Sequence, residues 1–152
     1  ARCEQALSRA HAEIGQTSIA IDYTVHPRPL GLARLLLRHG FAVERVYLDA
    51  VSPEEEADFR ALQAETPELE LCPTVQPGMR VRPRTEPGTL AIGQKAAWFQ
   101  GTAHFVNLVS GAGLWGYDGI CRMAELLREA AREEKDTRDL VPRKGLGCES
   151  CL

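Results

Sequence analysis

Short apolar segments alternate with amphipathic helical segments along this chain, and this order constrains the fold more than any other feature. Short apolar segments with the composition typical of buried strands lie at residues 18–23, 43–51, 69–72, 89–92 and 104–109. Helical spacing of apolar residues predicts helices at residues 3–14, 30–39, 53–64, 94–99 and 117–134. We therefore expect an α/β domain of three layers (αβα), with a doubly wound, mostly parallel sheet of four or five strands.

The helix predicted at residues 53–64 has a local start signal. Ser52 precedes it, Pro53 stands at its first position, and acidic residues follow at Glu54, Glu55 and Glu56. Glu55 lies three residues after Ser52, which is the spacing of a capping box. We expect the acidic run to complement the helix dipole rather than to bind a metal. The last helix has an apolar stripe predicted to face the core: Ile120, Ala124, Leu127 and Ala131.

The length of 152 residues predicts one main domain. We place it at residues 17–134, after an N-terminal helix and linker (1–16) and before a C-terminal tail (135–152). The net charge of −3 lacks the basic excess of a nucleic-acid binder. No apolar run approaches the ~20 residues of a membrane span, and from the polar residues near the start we expect no signal peptide. We expect a cytoplasmic protein with neither nucleic acid nor membrane as a partner.

Five cysteines, an odd number, do not suggest a secreted disulfide scaffold. Cys72 falls in an apolar run and Cys121 in a helix-like stretch, and both are expected to be small buried hydrophobic residues, while Cys3 could face either way. Cys148 and Cys151 form a C-x-x-C pair, whereas closed zinc or iron–sulfur sites need about four ligands. Two interpretations stay open: an exposed dithiol, or a metal or redox module completed by a second chain or another domain.

Candidate site residues cluster where the predicted strands end, because parallel sheets bind ligands at their carboxyl ends. The glycine-rich turn at residues 110–113 leads from a strand into a helix, but it contains neither dinucleotide- nor P-loop-type spacing. Two histidines near predicted loops could act as acid, base or ligand. The candidates that could face a cofactor or substrate are His26, Arg28, Gly93, His104, Ser110 and Trp115.

Arg80, Arg82 and Arg84 alternate in a proline-rich segment. In an extended chain they would share one side and could hold a carboxylate or phosphate, which would make the chain a stand-alone binding module for small anions. A solvated, charge-protected sheet edge is the competing interpretation.

Four segments resemble the C-terminal domain of nitrogenase-type component 1 proteins, a family that includes molybdenum–iron protein and dark-operative protochlorophyllide reductase subunits. They are residues 18–23, 31–37 with the stop at Gly40, 43–48 and 114–120. The last is the most specific, because a Gly-aromatic-Asp/Glu-Gly signature opens the final helix in the family. Here it reads Gly116-Tyr117-Asp118-Gly119. The resemblance covers residues 17–134.

The resemblance implies one of three similar domains of an oxidoreductase subunit. Such subunits pair, hold an iron–sulfur cluster or related metallocofactor, and receive electrons from a separate ATP-dependent iron-protein reductase. The family's cluster cysteines lie mainly in another domain, so this chain would not be a complete catalyst. It would form part of a metallocofactor or substrate cavity and of a subunit interface. The molybdenum enzyme's cofactor-ligating His falls at Val106 here, with His104 two residues earlier, so we expect a nitrogenase-like enzyme of unknown substrate.

Overall fold

The computed structural model describes residues 1–82, 88–109 and 114–137. The strands are β1 (Ile19–Asp22), β2 (Val43–Tyr47), β3 (Glu70–Cys72), β4 (Leu90–Ile92) and β5 (Phe105–Val106). The helices are α1 (Arg2–Ile14), α2 (Pro29–Arg38), α3 (Glu56–Glu65), α4 (Gln94–Gln100) and α5 (Gly116–Arg132). Short 3-10 turns lie at Pro53–Glu55 and Pro77–Arg80. Each predicted strand and helix is present, with ends that differ by a few residues.

The strands form one sheet in the order β3-β2-β1-β4-β5, and every pairing is parallel. Ile21 in β1 lies opposite Val46 in β2 on one side and Ile92 in β4 on the other. Because the chain moves outward from β1 in both directions, the order reverses between β1 and β4. This reversal confirms the doubly wound fold and places the topological switch point between these two strands.

Alternate residues of each strand point to opposite faces of the sheet. One face, which we call the four-helix face, carries α1, α2, α3 and α5 over a large apolar core. Its strand residues are bulky and aliphatic, among them Ile19, Ile21, Leu90 and Ile92, all at most 1% exposed. Burial of each such side chain contributes about 1.5–3 kcal/mol, so this face supplies most of the hydrophobic stabilisation.

Of the described helices, only α4 packs against the opposite face, which we call the α4 face. Small side chains, Ala20 and Ala91, lie beneath this helix and allow it to approach the sheet closely. Beside them the Tyr47 ring stacks on Phe99, with 5.0 Å between centroids. The Tyr47 hydroxyl donates a hydrogen bond of 2.9 Å to Gln100 Oε1, so a polar contact is buried within this smaller cluster.

Two details of the helices differ from the sequence-based expectations. Residues 53–55 form a 3-10 turn and α3 begins at Glu56, so the predicted capping box is wrong. Glu55 is 2% exposed, and its carboxylate accepts hydrogen bonds from the backbone N–H groups of Leu30 and Gly31, at 2.7 and 3.2 Å. It therefore caps α2 from another element, where it meets the unsatisfied N–H groups and positive dipole end of that helix.

The stripe of α5 that faces the core is also shifted from the prediction. Ala124 and Leu127 are buried as expected, but Ile120 and Ala131 are only half-buried. The remaining buried positions of this helix are Gly119, Met123 and Ala130. Among the residues that the structure describes, no helix combines the length and apolarity required to cross a bilayer.

Candidate functional site

Two groups of side chains meet at the carboxyl edge of the sheet, one beside each face. The first, the switch-point cluster, lies at or just after the carboxyl ends of β1, β2, β3 and β4 and consists of Asp22, Tyr23, Asp49, Thr74, Gly93 and Lys95. The second, the edge cavity, lies on the four-helix face between α1, α2 and α5. Both occupy the end of a parallel sheet where ligands bind in doubly wound folds.

Asp22 ends β1 and is completely buried. One carboxylate oxygen accepts hydrogen bonds from the backbone N–H (2.8 Å) and the hydroxyl of Thr24. The other accepts one of 2.8 Å from Ala96 N–H in the first turn of α4. Burial raises the pKa of Asp22 above its ordinary value, although these hydrogen bonds favour the ionised form. Asp22 thus ties the switch point to the start of α4.

Gly93 makes this contact possible. Its φ is +112°, and a Cβ atom at this position would lie 2.1 Å from Asp22 Oδ2. A side chain here would therefore be strained by the backbone angle and would also collide with the carboxylate. The role of Gly93 in the site is to let the carboxylate reach the N–H groups of α4.

Lys95, in the first turn of α4, is only 6% exposed. Its ammonium donates a hydrogen bond to the Tyr23 hydroxyl oxygen and lies 4.0 Å from the centre of the Tyr23 ring. Burial lowers the pKa of Lys95, while the nearby carboxylates of Asp49 and Asp22 oppose this shift. Burial, followed by Asp49, raises the pKa of Tyr23, so its hydroxyl stays protonated at neutral pH.

Asp49 follows β2 and joins the same cluster. Its two oxygens each lie 2.9 Å from the Thr74 hydroxyl, and Oδ1 accepts a hydrogen bond of 3.1 Å from Val75 N–H. Partial burial acts to raise the pKa of Asp49. Hydrogen bonds from Thr74, Val75 and Tyr23 outweigh it, so the pKa lies below its ordinary value. A hydrogen bond thus joins Lys95 to Tyr23, and the Asp49 carboxylate lies close enough to both to influence their pKa values.

The switch-point cluster was not identified from sequence, apart from Gly93. A signal was available: Asp22 and Asp49 stand immediately after apolar strand residues, and Lys95 lies two residues after a glycine at a strand end. Because carboxyl ends of neighbouring parallel strands meet at one edge, polar residues at these positions converge.

The edge cavity has a volume of about 390 Å³. Its walls are mainly apolar and include Leu7, Leu35, Leu114, Ile120 and Met123. His26, Arg28 and Asp58 supply polar groups to its lining. A mainly apolar chamber with a few convergent polar groups is the usual form of a small-molecule site.

The polar groups of the cavity are held by their neighbours. Backbone N–H of Arg28 donates to His26 Nδ1 at 3.1 Å, so neutral His26 carries its proton on Nε2. Arg28 donates to Asp58 and to the Glu54 carbonyl, both at 3.1 Å. The second oxygen of Asp58 accepts from Arg34 at 3.1 Å, so one carboxylate serves two guanidinium groups. His26 Nε2–H and the half-exposed Arg28 are thus positioned as donors.

The Gly-aromatic-Asp-Gly segment forms part of the cavity wall and opens α5. Gly116 has φ +59°, and a Cβ on Gly119 would lie 2.4 Å from the carbonyl carbon of Leu114. Both glycines are therefore required by local geometry. Next to them, Trp115 is 65% exposed and Tyr117 is 79% exposed. The Trp115 ring also lies 6.3 Å, centre to centre, from His26.

The structure brings together three of the predicted site residues, His26, Arg28 and Trp115, at the edge cavity. Gly93 belongs to the switch-point cluster. His104 lies at the amino end of β5, where Nδ1 is 2.9 Å from the Ala130 carbonyl of α5. It is therefore at the opposite edge of the sheet from the other candidates. Predicted candidates Ser110, Cys148 and Cys151 lie outside the described residues.

The arginine segment does not extend as a regular strand through Arg80, because Pro77–Arg80 forms a 3-10 turn. Arg82 donates from both terminal nitrogens to Glu70, at 3.0 Å each. Arg45 donates to the same carboxylate at 2.6 Å. Arg82 is thus already engaged by a carboxylate, and Arg84 lies outside the described residues.

Within residues 1–82, 88–109 and 114–137, no group of three or more His, Cys, Asp or Glu side chains is arranged to hold a metal ion. Among the described residues, His26 is the one imidazole in the cavity lining, and no cysteine lines it. Val106, the position matched to the family's ligating histidine, is fully buried in the core of the four-helix face. The described residues therefore do not by themselves fit a metallocofactor.

Neither a protein-family model nor a curated protein matches the sequence. The structure is similar to a solved structure described as "Nitrogenase Cp1 at pH 6.5", with a TM-score of 0.59 over 95% of this chain. The chain has a nitrogenase-like fold. The two sequences are 14% identical, and this chain spans 33% of the length of the nitrogenase chain.

Proposed function

We propose that this chain is the C-terminal domain of a nitrogenase-like oxidoreductase component 1. The observation that carries the proposal is the structural similarity over 95% of this chain to one third of a nitrogenase chain. The Gly116–Gly119 segment supports it independently. It has the family's Gly-aromatic-Asp-Gly pattern, and the close approach of Leu114 to Gly119 gives a physical reason for that pattern. Residues 17–134 would form the domain, flanked by residues 1–16 and 135–152.

In this role the carboxyl edge of the sheet forms one wall of a metallocofactor or substrate cavity. His26 and Arg28 would face that cavity as hydrogen-bond donors, and the apolar lining would exclude water. Trp115 and Tyr117 would contact another domain or the paired subunit, since exposed aromatic residues are enriched at interfaces.

The proposed protein takes its metal ligands from other domains of the polypeptide, because the described residues do not supply a ligand set. An iron–sulfur cluster or related metallocofactor held there would supply the electron-transfer chemistry. The ATP-dependent iron-protein reductase would be the electron donor. This chain's own residues would position the substrate and close the cavity, so the isolated chain is not a complete catalyst.

Anaerobic purification of the affinity-tagged polypeptide from its source cell tests the proposal. We expect a complex larger than one chain that contains iron and acid-labile sulfide. The double variant Trp115→Ala/Tyr117→Ala should reduce the amount of complex recovered, whereas the matched exposed variant Val81→Ala (82% exposed) should not. Recovery of an iron-free single polypeptide would overturn the proposal.

The C-x-x-C pair is tested in the same preparation. If the chain belongs to a nitrogenase-like complex, the iron and sulfide contents of the double variant Cys148→Ser/Cys151→Ser should equal those of the wild type. Iron or zinc that disappears with these two thiols, from a preparation with no partner polypeptide, would instead support the metal or redox module. Thiolate ligation is lost when sulfur is replaced by a hydroxyl, so the two proposals give different metal contents.

A further inference from the structure

Two cysteines from opposite ends of the described chain meet on the surface of the four-helix face. Cys3 lies in the first turn of α1 and Cys121 in the second turn of α5. Their sulfur atoms are 3.5 Å apart, although 118 positions separate them in sequence. The packing of α1 along α5 creates this pair, and nothing in the local sequence of either residue indicates it.

Both sulfurs are within reach of small reagents, because Cys3 and Cys121 are only half-buried. Cys72 provides an internal contrast. It is 2% exposed, so its thiol lies in the core, out of reach of such reagents. Cys121 also borders a surface groove that opens to solvent beside Gln5 and Arg9, so a small reagent can reach this end of the pair. Two further arginines of the groove are ion-paired, Arg2 with Asp118 and Arg122 with Glu125.

We propose that Cys3 and Cys121 are a redox modification site and form a reversible disulfide that joins α1 to α5. The oxidant is a low-molecular-weight disulfide of the glutathione class. One protein thiolate attacks a sulfur of the reagent, forming a mixed disulfide and releasing one small thiolate. The second protein thiolate attacks the protein sulfur of that mixed disulfide and releases the other. The protein loses two electrons and two protons in total, and the reagent becomes two thiols.

Closure requires the two sulfurs to approach from 3.5 Å to about 2.05 Å. A change in the side-chain torsions of two half-exposed cysteines is a small rearrangement compared with movement of a packed core.

The proposed disulfide would act on the neighbouring candidate site. Cys3 Sγ donates a hydrogen bond of 3.1 Å to the backbone carbonyl of Tyr117. A disulfide sulfur has no hydrogen to donate, so oxidation removes this bond. Tyr117 lies between Gly116 and Gly119, which both line the edge cavity. The redox state of the pair is therefore coupled to the segment that forms the cavity wall. This inference depends only on the geometry of this chain, so it does not rest on the proposed oxidoreductase function.

Oxidation of the complete chain in glutathione disulfide tests the proposal. The Cys148→Ser/Cys151→Ser background removes exchange with the tail thiols. After alkylation and proteolysis, mass spectrometry should detect a peptide in which residues 3 and 121 are linked, with the loss of two hydrogen atoms. Dithiothreitol should reverse the link. Cys72→Ser should leave it unchanged, and Cys3→Ser should abolish it.

The thermal midpoint provides a second readout. A disulfide that closes a long loop should raise Tm by about 5–15 °C in the oxidised chain. The single variants Cys3→Ser and Cys121→Ser should show no such rise with oxidant. If both thiols remain open to alkylation, or if each accepts glutathione separately without a linked peptide, the proposal is overturned.

Discussion

The two faces of the sheet are stabilised in different ways. On the four-helix face, aliphatic strand residues such as Ile21 and Ile92 meet the apolar stripes of four helices. On the α4 face, the corresponding strand positions are Ala20 and Ala91, and a single described helix of seven residues covers them. Hydrogen bonds and ion pairs extend from this smaller cluster through Gln100 to the Arg45, Glu70 and Arg82 side chains.

This difference has an energetic consequence. Burial of apolar surface stabilises the folded state by about 25 cal/mol per Å², and this gain depends little on how the buried groups are oriented. Every buried methyl group on the four-helix face therefore adds to stability. A hydrogen bond contributes about 1 kcal/mol net, but a buried polar group without its partner costs about 1–3 kcal/mol. We therefore expect truncation of side chains to be most damaging on the four-helix face. On the α4 face, the loss of specific partners should decide the cost.

The largest effect is expected from Leu127→Ala in α5. Leu127 is fully buried in the core of the four-helix face, so the variant should leave a cavity and lose about 3 kcal/mol of unfolding free energy. Urea denaturation measures this loss. Leu126→Ala, at a half-buried position of the same helix, should lose about 1 kcal/mol. Equal losses in the two variants would contradict the assignment of the core stripe.

Asp22→Ala should be the most damaging truncation on the α4 face. The variant leaves Ala96 N–H without its acceptor and removes a carboxylate close to buried Lys95, so we expect a loss of about 2 kcal/mol. Asp22→Asn retains a carbonyl acceptor and should lose less, since burial already disfavours the charged form of Asp22. Chemical denaturation distinguishes them, and an Asn variant as unstable as the Ala variant would show that charge rather than hydrogen bonding matters.

Tyr47→Phe should have a smaller effect of about 1 kcal/mol. The ring stack on Phe99 is retained, and only the hydroxyl that donates to Gln100 is removed. Gln100 Oε1 keeps the hydrogen bond from Arg45, which limits the cost. Tyr117→Phe, at a 79% exposed position, is the matched control and should leave the unfolding free energy unchanged. A neutral Tyr47→Phe variant would weaken the polar interpretation of the α4 face.

Glu70→Gln should have the smallest effect, and it should depend on pH. Hydrogen bonds from Arg82 and Arg45 lower the pKa of Glu70 to about 2 from its ordinary 4.5. The ionised group therefore stabilises the fold above about pH 4.5, and this contribution disappears as the pH falls toward about 2. The carboxylate is 45% exposed, so solvent screening limits the gain to about 0.5 kcal/mol.

Urea unfolding of the wild type and Glu70→Gln at about pH 7 and about pH 3 measures the dependence. We expect the difference between the two chains to shrink at the lower pH. A difference that stays constant would show that Glu70 acts through packing and not through its charge. Glu68→Gln serves as the control, because Glu68 is exposed and forms no ion pair among the described residues.

Periodicity made the elements of this fold predictable from sequence. Side-chain direction repeats every two residues in a strand and about every 3.6 in a helix, so the pattern around Ile19 to Asp22 or Leu30 to Leu36 can be interpreted from near neighbours alone. The same local patterns placed His26, Arg28 and Gly93 at strand ends. They did not indicate that Asp22 and Lys95 would join Gly93.

What the sequence by itself determined is the alternation of strands and helices, the parallel sheet and the edge at which polar residues collect. Only the tertiary structure decided which distant groups meet. Glu55 caps α2 across 25 positions, Lys95 reaches Tyr23 across 72, and Cys3 lies beside Cys121 across 118. The reason is physical: local patterns depend on backbone geometry within a few residues. Contacts of this kind depend on how whole elements pack, and many arrangements of the same elements satisfy the same local patterns.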